Sequence, residues 1–594
     1  MWRSISLLAA AAAGLGAAEY TLSSPEELVQ VVVRREEGRL SYAVNYGRRP
    51  MVLDSEFALE GWAPGRYVGS EQRQSFSVWR PLYGERASIP DNFNELTLRF
   101  ERLTVFVRAY EEGVAFRYRL EGQGKFELAG ERSEFRFPRG AMAWEEQGTE
   151  GEYFRVPAAR IKDNCERPLT VDPGNGLWLS VAEAGQTDYP RMLLGAREGA
   201  VVTQLDGNVK GALPFETPWR VIVLGRRPGD LLERNYLILN LSRPQVLTDV
   251  TWIKPGKVIR EVTLSTRGGR AAVDFAAANG LQYVEYDAGW YGHEYDDEAD
   301  ARTVSPDPKR IANIPDHGGL DLEEVIGYAR QKGIGVILYV NRRELERRMD
   351  ELFPLYRKWG VAGVKFGFVQ VKGQEWAAWL TEAVKKAAAY RLMVDVHDSY
   401  RPSGLTRTYP NLMTVEGVRG NEHMPTAAHN ATLPFTRAVA GSLDYTICWM
   451  TERLKTTWGH QLAQLVVHYS PWNFVFWYDR PEQITPSPGL EFFALVPTTW
   501  DETRVLAGAI GSHAVVARRK GREWFIGAIT NEEPRTVEIR LGMLAPPGWY
   551  ELKTWCDGDG ARDVRVETQE VRDGQPVQLR LAPSGGCAAR LRPL

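Results

Sequence analysis

From residue 19 to about 242, apolar and polar positions tend to alternate with the period of two that a half-buried strand requires. Leu40-Ser41-Tyr42-Ala43-Val44 shows this early, and the runs 105–110 and 114–120 are rich in β-branched and aromatic residues. Between them, Glu111-Glu112-Gly113 reads as a three-residue hairpin loop. Apart from a short helical pattern over 25–32, no helical period of useful length occurs here. The pattern predicts a large antiparallel β-sandwich over 19–245.

Near Val246 the period changes. Helix-like spacing over 269–279, 321–332, 344–359, 375–390 and 460–469 alternates with strand-like runs over 282–287, 334–340, 361–369 and 392–396. Asp321 followed by Glu324 opens one helix and Gly333 closes it. Pro354 is expected to break another. Strands alternating with helices at this spacing imply a parallel sheet. The number of units favours a (β/α)8 TIM barrel over 246–498. Short strands return over 514–518, 523–527, 536–541, 564–567 and 577–581, predicting a small C-terminal β-sandwich over 499–594.

Length and charge narrow the function classes. A chain of 594 residues suits several domains, and a net charge of −3 gives no reason to expect nucleic acid or an anionic membrane as partner. Arg3, the alanine-rich apolar run 5–16 and Ala17-Ala18-Glu19 have the form of a secretory signal peptide over 1–18. That run is too short for a permanent membrane span, and a periplasmic or secreted protein is expected. Export permits disulfides. Cys556 and Cys587 are candidates, although sequence leaves their pairing open, and Cys165 and Cys448 are expected to be free. Eight histidines without zinc-type spacing speak against a transition-metal enzyme. The many Trp and Tyr residues suit sugar stacking and β-sheet cores equally.

The chemistry concentrates in 392–424, LMVDVHDSYRPSGLTRTYPNLMTVEGVRGNEHM. Asp395, Asp398, Glu416 and Glu422 stand there with His397, His423, Arg401, Arg407 and Arg419, between turn-forming Pro and Gly residues. A second acidic stretch, 144–153, carries Glu145, Glu146, Glu150 and Glu152. Barrel enzymes place reactive groups at the C-terminal ends of strands, which selects Asp287, Lys365, His397, Asp398, Glu416 and Glu422. Several carboxyl groups in one such place suit acid–base chemistry, with one carboxyl held protonated by its surroundings.

The runs His397-Asp398-x-x-Arg401-Pro402-x-Gly404, Arg407-Thr408-Tyr409-Pro410-Asn411 and Glu416-Gly417-x-Arg419-Gly420-x-Glu422 resemble glycoside hydrolase family 97, bacterial calcium-dependent α-glucosidases and α-galactosidases. The resemblance covers nearly the whole chain after residue 18. It implies a β-sandwich packed on a catalytic barrel. Glu422 matches the general acid, and Asp398 falls at a base position, a catalytic carboxylate touching both metal and water. Lys365, His397 and Trp290, in Asp287-Ala288-Gly289-Trp290, match sugar-contacting positions, with Asp287 as a further candidate for substrate binding. Glu150, with Glu152 as rival, joins Asp398, Glu416 and Glu422 as ligands of Ca2+, an oxygen-only set that suits a hard cation.

Retaining members carry an aspartate nucleophile where this chain reads Val364-Lys365-Phe366-Gly367-Phe368, and glycine cannot serve. The resemblance therefore implies an inverting exo-α-glucosidase acting on an oligosaccharide. An α-galactosidase of the same family and a catalytically impaired carbohydrate-binding protein are the alternatives. Two departures stand out. Asn341-Arg342-Arg343 replaces a second glutamate, with Glu344 read as the start of the next helix, and Asp398 stands where inverting members have Glu. Monomer and homodimer remain open.

Overall fold

The computed structural model describes residues 17–36, 38–544 and 546–594. The signal-peptide segment lies outside the described residues except for its last two positions.

An antiparallel sheet of four strands, Ala18–Ser23, Val29–Glu36, Arg39–Tyr46 and Arg49–Glu56, faces a ten-stranded sheet. Val31, Tyr42, Val44, Leu96, Val105, Phe116, Val181 and Ile222 fill the space between them. Two expectations are corrected. Residues 25–32 are not helical: a turn leads into the strand Val29–Glu36, whose Val29, Val31 and Val33 point into the core. Burial of alternate valines wins over a weak helical pattern. The hairpin loop is two residues, because Gly113 pairs with Tyr110. Gly113 has φ +155°, and a Cβ there would lie 2.0 Å from the Ile222 carbonyl oxygen, so only glycine fits.

The barrel strands are β1 (Gly256–Glu261), β2 (Tyr283–Tyr286), β3 (Gly335–Asn341), β4 (Gly363–Gly367), β5 (Met393–Val396), β6 (Leu412–Val415) and β7 (Trp472–Val475). They pair in parallel in the order β6-β5-β4-β3-β2-β1-β7. The segment 444–447 closes the circle. Asp444 N donates to Val415 O at 3.0 Å, and Ile447 N to Phe474 O at 2.9 Å. The eighth position of the barrel is thus a short connecting segment.

Helices α1 (Thr266–Ala278), α2 (Leu322–Gln331), α3 (Arg342–Trp359), α4 (Gln374–Ala389) and α5 (Trp458–Val467) lie in the connections between strands. The Asp321 side chain caps α2 by accepting the Glu324 N–H at 2.9 Å. Pro354 does not break α3. Leu352, Phe353 and Tyr356 are buried around it and hold the helix on the barrel through the lost hydrogen bond.

Two sheets, of six strands and of two, make the C-terminal domain around Val515, Ile526, Leu552, Leu579 and Leu591. Cys556 is disulfide-bonded to Cys587, while Cys165 and Cys448 are free and buried. All of α5 is buried, and at Gly527 of this domain a Cβ would meet Ala463 O of α5 at 2.4 Å. Among the described residues no helix is long and apolar enough to cross a membrane.

The Arg407-Thr408-Tyr409-Pro410-Asn411 run fastens the first two domains. Arg407 Nη1 donates to Leu239 O and Asn240 O, both at 2.8 Å, and its guanidinium lies 4.2 Å over the Trp79 ring. Thr408 Oγ1 donates to Arg243 O, and Tyr83 Oη donates to Pro410 O. This motif is a clamp, away from the carboxylate cluster described next.

Candidate active site

Parallel strands deliver their C-terminal residues to one end of the barrel. In its interior Lys365 of β4 is fully buried, with Nζ 3.4 Å from Asp444 Oδ2, 3.9 Å from Asp395 Oδ2 and 4.0 Å from Asp287 Oδ2. It also lies 4.1 Å over the Trp477 ring. Burial works against the ammonium, but Asp444, Asp287 and Asp395 outweigh it and raise its pKa. Arg260 of β1 reaches Asp287 at 3.6 Å across the same indole. Burial opposes ionisation of Asp287, yet Arg260 and Lys365 lower its pKa to about 2. Asp287 is therefore a fixed anion, suited to accepting hydroxyl hydrogens. Glu285 and Asp395 find no hydrogen-bond partner among the described residues, and burial pushes both far up.

At the mouth stand His397, Asp398, Glu416 and Glu422. His397 Nδ1 lies 3.2 Å from Glu416 Oε2, and Nε2 lies 3.5 Å from Glu422 Oε1. Burial, helped by Lys365, keeps the imidazole neutral. Glu416 Oε2 accepts the Asp398 N–H at 2.5 Å, and Asp398 Oδ2 accepts the Phe368 N–H. Asp398 holds φ +66° and Phe368 φ +52°, left-handed conformations that non-glycine residues adopt at a cost of ~1–3 kcal/mol each. The cost is consistent with a turn shaped by function. Burial pushes Asp398 up to about 6 and Glu422 up to about 7.

Arginines fix this cluster from behind. Arg437, fully buried, donates to Gly417 O at 2.8 Å and Glu416 O at 2.7 Å. Arg401 reaches into the N-terminal domain, pairing with Glu146 and donating to Thr149 O at 2.8 Å and Arg167 O at 2.9 Å. It thereby holds the acidic segment against the barrel and brings Glu150 to the mouth. Oxygens of Glu150, Asp398 and Glu416 all lie within 4.8 Å of one another. Glu422 falls instead with His397 and Glu416. Three carboxylates this close repel, and the resulting oxygen-only donor set fits a hard cation such as Ca2+. Glu152 is more exposed and faces Arg419 at 3.7 Å.

Trp290 requires a correction. It is fully buried, its Nε1 donating to Tyr339 O at 2.8 Å, and it packs on Tyr291 and Tyr356. It shapes β3 from behind and offers no face to a sugar. Trp477, after β7, is the indole beside Lys365, Arg260 and His397.

Gly367 ends β4, and the volume a side chain would need is filled. A Cβ at 367 would lie 2.0 Å from Tyr339 Oη and 2.1 Å from Cζ. That hydroxyl donates to Glu294 Oε2 at 2.5 Å. Glu344 is buried and engaged elsewhere: it accepts from Ala301 N and Arg348 and pairs with Arg347.

Sequence reasoning missed Asp444, Arg260, Tyr339, Trp477 and Glu294 as parts of this site. Asp444 begins a segment too short to read as a strand. Arg260 lies on a strand, GKVIRE, that carries three charged residues around Val258 and Ile259, a readable signal in a strand otherwise buried. Glu294 looks like one acid among many in the loop 287–300.

Comparison with known proteins places this architecture. Residues 22–244 match the family model described as glycosyl-hydrolase 97 N-terminal, 254–418 that for glycoside hydrolase 97, and 499–592 the glycosyl-hydrolase 97 C-terminal model, described as oligomerisation. A protein of Bacteroides thetaiotaomicron named retaining alpha-galactosidase is 29% identical over 97% of both chains. A probable retaining alpha-galactosidase of Streptomyces bingchenggensis is 29% identical over 93% of this chain and 88% of that one. Among solved structures, a glycoside hydrolase family 97 enzyme of a Pseudoalteromonas species in complex with acarbose superposes with a TM-score of 0.88 at 27% identity, over 97% of this chain and all of that one. A beta-arabinopyranosidase at 23% identity and TM-score 0.83 shares the fold. With all three of its segments matched in order, the chain is a glycoside hydrolase and belongs to glycoside hydrolase family 97.

Proposed function

We propose that this enzyme removes terminal α-linked glucose from oligosaccharides with inversion at the anomeric carbon. The observation that carries the reading is residue 367: it offers no side chain, and Tyr339 occupies the volume where one would begin. Burial and the adjacent Glu294 carboxylate push the Tyr339 phenol far up, so it remains a protonated donor and a poor nucleophile. Attack then falls to water.

Glu422 is the general acid in this reading. Its side chain is 29% exposed, at the edge of the mouth, while Glu416 behind it is almost fully buried. As the bond between anomeric carbon and leaving oxygen breaks, Glu422 passes its proton to that oxygen. Asp287 and the neutral His397 line the floor, where they bind and orient sugar hydroxyls, and Lys365, fully buried beneath them, fixes Asp287 rather than touching the sugar itself. Asp398 faces both the cation cluster and the mouth. Glu150, Asp398 and Glu416 would hold Ca2+, which when bound supplies positive charge that offsets the clustered carboxylates, while Glu422 stays outside that set as the acid. The signal-like stretch 1–18 supports export to the periplasm or medium. The description of the C-terminal family model supports self-association.

A second reading, α-galactosidase, is favoured by the names of the two curated relatives. Those names also say retaining, and the inversion proposed here rests on residue 367 of this chain. Aryl α-glucoside and aryl α-galactoside turned over side by side distinguish the sugars. Binding without turnover of either would instead support an impaired carbohydrate-binding protein.

A further inference from the structure

Inversion needs a second carboxylate, one that takes a proton from the attacking water. The carboxylates around the barrel mouth are largely committed. Asp287 is held by Arg260 and Lys365, and Glu285, Asp395 and Asp444 are sealed in the interior. Glu150, Asp398 and Glu416 form the cation cluster. Glu294 remains, with its side chain 10% exposed.

Glu294 comes from the loop after β2, yet its carboxylate lies at the end of β3. Oε2 accepts from Tyr339 Oη at 2.5 Å and from Asn341 Nδ2 at 3.3 Å, while Arg310 stands 3.5 Å from Oε1. The loop itself is anchored: Arg343 Nη1 donates to Tyr295 O at 3.0 Å and Nη2 to Asp297 at 2.6 Å. Arg342 Nε donates to Phe368 O at 3.0 Å, bracing the turn whose N–H holds Asp398. The Asn341-Arg342-Arg343 run thus supplies donors that fix an acid from a neighbouring loop. Glu294 is close enough to Asp398 to disfavour its ionisation.

We infer that Glu294 is the general base of this site, oriented by Tyr339 and Asn341. The inference rests on the inverting reading above. A water oxygen bonds to the anomeric carbon while its proton passes to Glu294. The bond from that carbon to the leaving oxygen breaks, and Glu422 protonates that oxygen. Proton exchange with solvent then resets both carboxyls.

The test compares the wild type with Glu294→Gln, which keeps the shape and an acceptor oxygen, and with Glu294→Ala. Glu294→Gln is expected to lower kcat at least about hundredfold with KM little changed, and to remove the acidic limb of the kcat/KM pH profile. Glu294→Ala with sodium azide is expected to regain rate and to form the β-glycosyl azide, because azide needs no base. Tyr339→Phe is expected to lose less and to gain nothing from azide. Should Glu294→Gln turn over within about threefold of a wild type that inverts, the base lies elsewhere and only this assignment falls. If Glu294→Ala does not fold, the Glu294→Gln rate and pH profile decide alone. A wild type that retains configuration would overturn the inverting reading itself.

Discussion

The Tyr339 hydroxyl stands 2.0 Å from where a Cβ of residue 367 would be, so the two positions cannot both carry side chains as the chain is folded. Gly367→Ala is therefore expected to push Tyr339 off Glu294, at a cost of about 1–3 kcal/mol in overpacking. Tyr339→Ala empties that volume, so the double variant should be more stable than the sum of the single changes predicts. Thermal-unfolding midpoints of the three variants read this directly, and strict additivity would show that the two residues do not compete for space.

Glu422 is the acid in this account. Glu422→Gln should lower kcat by roughly 100- to 10,000-fold on unactivated oligosaccharides. The loss should be far smaller on a dinitrophenyl glycoside, whose leaving group needs no proton. Equal losses on both substrates would assign Glu422 a different role.

The cation cluster predicts a coupled readout. Ca2+ should raise the unfolding temperature and the activity of chelator-treated enzyme, since a ligand bound by the folded state alone stabilises it. Glu150→Gln should abolish most of the Ca2+-dependent shift. Indifference to strong chelation would remove the cluster from the account.

Arg401 joins the domain that carries Glu150 to the barrel. Arg401 and Glu146 each have side chains only 1% exposed, so Arg401→Met leaves a buried carboxylate unpaired, at a cost of about 3–5 kcal/mol. The expected signature is a lower unfolding temperature together with weaker Ca2+ affinity. Loss of stability with unchanged Ca2+ affinity would mean that Arg401 does not position Glu150.

His460 of α5 predicts an acid sensitivity. Its ring contacts Asn430 Nδ2 and Gly585 O, both at 3.1 Å, and burial lowers its pKa to about 4. Unfolded, the imidazole titrates near ~6.5, so between these values the unfolded chain binds the extra proton. Its contribution is complete above about pH 6.5 and is lost as pH falls towards 4, on the order of 3 kcal/mol. His460→Gln should be less stable at pH 7.5 and show a shallower decline on acidification. Parallel declines would assign the titration elsewhere.

Much of this was legible in the sequence. The parallel barrel follows from alternating periods, and the residues closing β5 and β6 gather at one mouth because parallel strands end together. Trp290 misled because an indole after a strand end can turn outward to a ligand or inward to the core, and only packing decides. Glu294 and Asp444 were hidden for another reason. Each meets a strand far from it in sequence, Glu294 at Tyr339 of β3 and Asp444 at Lys365 of β4, so no spacing along the chain marks it. The two-residue turn at Glu111-Glu112 and the unbroken α3 were boundary matters, settled by tertiary packing.

The configuration of the first-formed sugar tests the account at its centre. Proton NMR during the first turnovers of an α-glycoside should show the β-anomer appearing first, with the α-anomer growing later by mutarotation. Initial release of the α-anomer would contradict it, because a covalent sugar–enzyme intermediate would then be required at a site where residue 367 supplies no nucleophile.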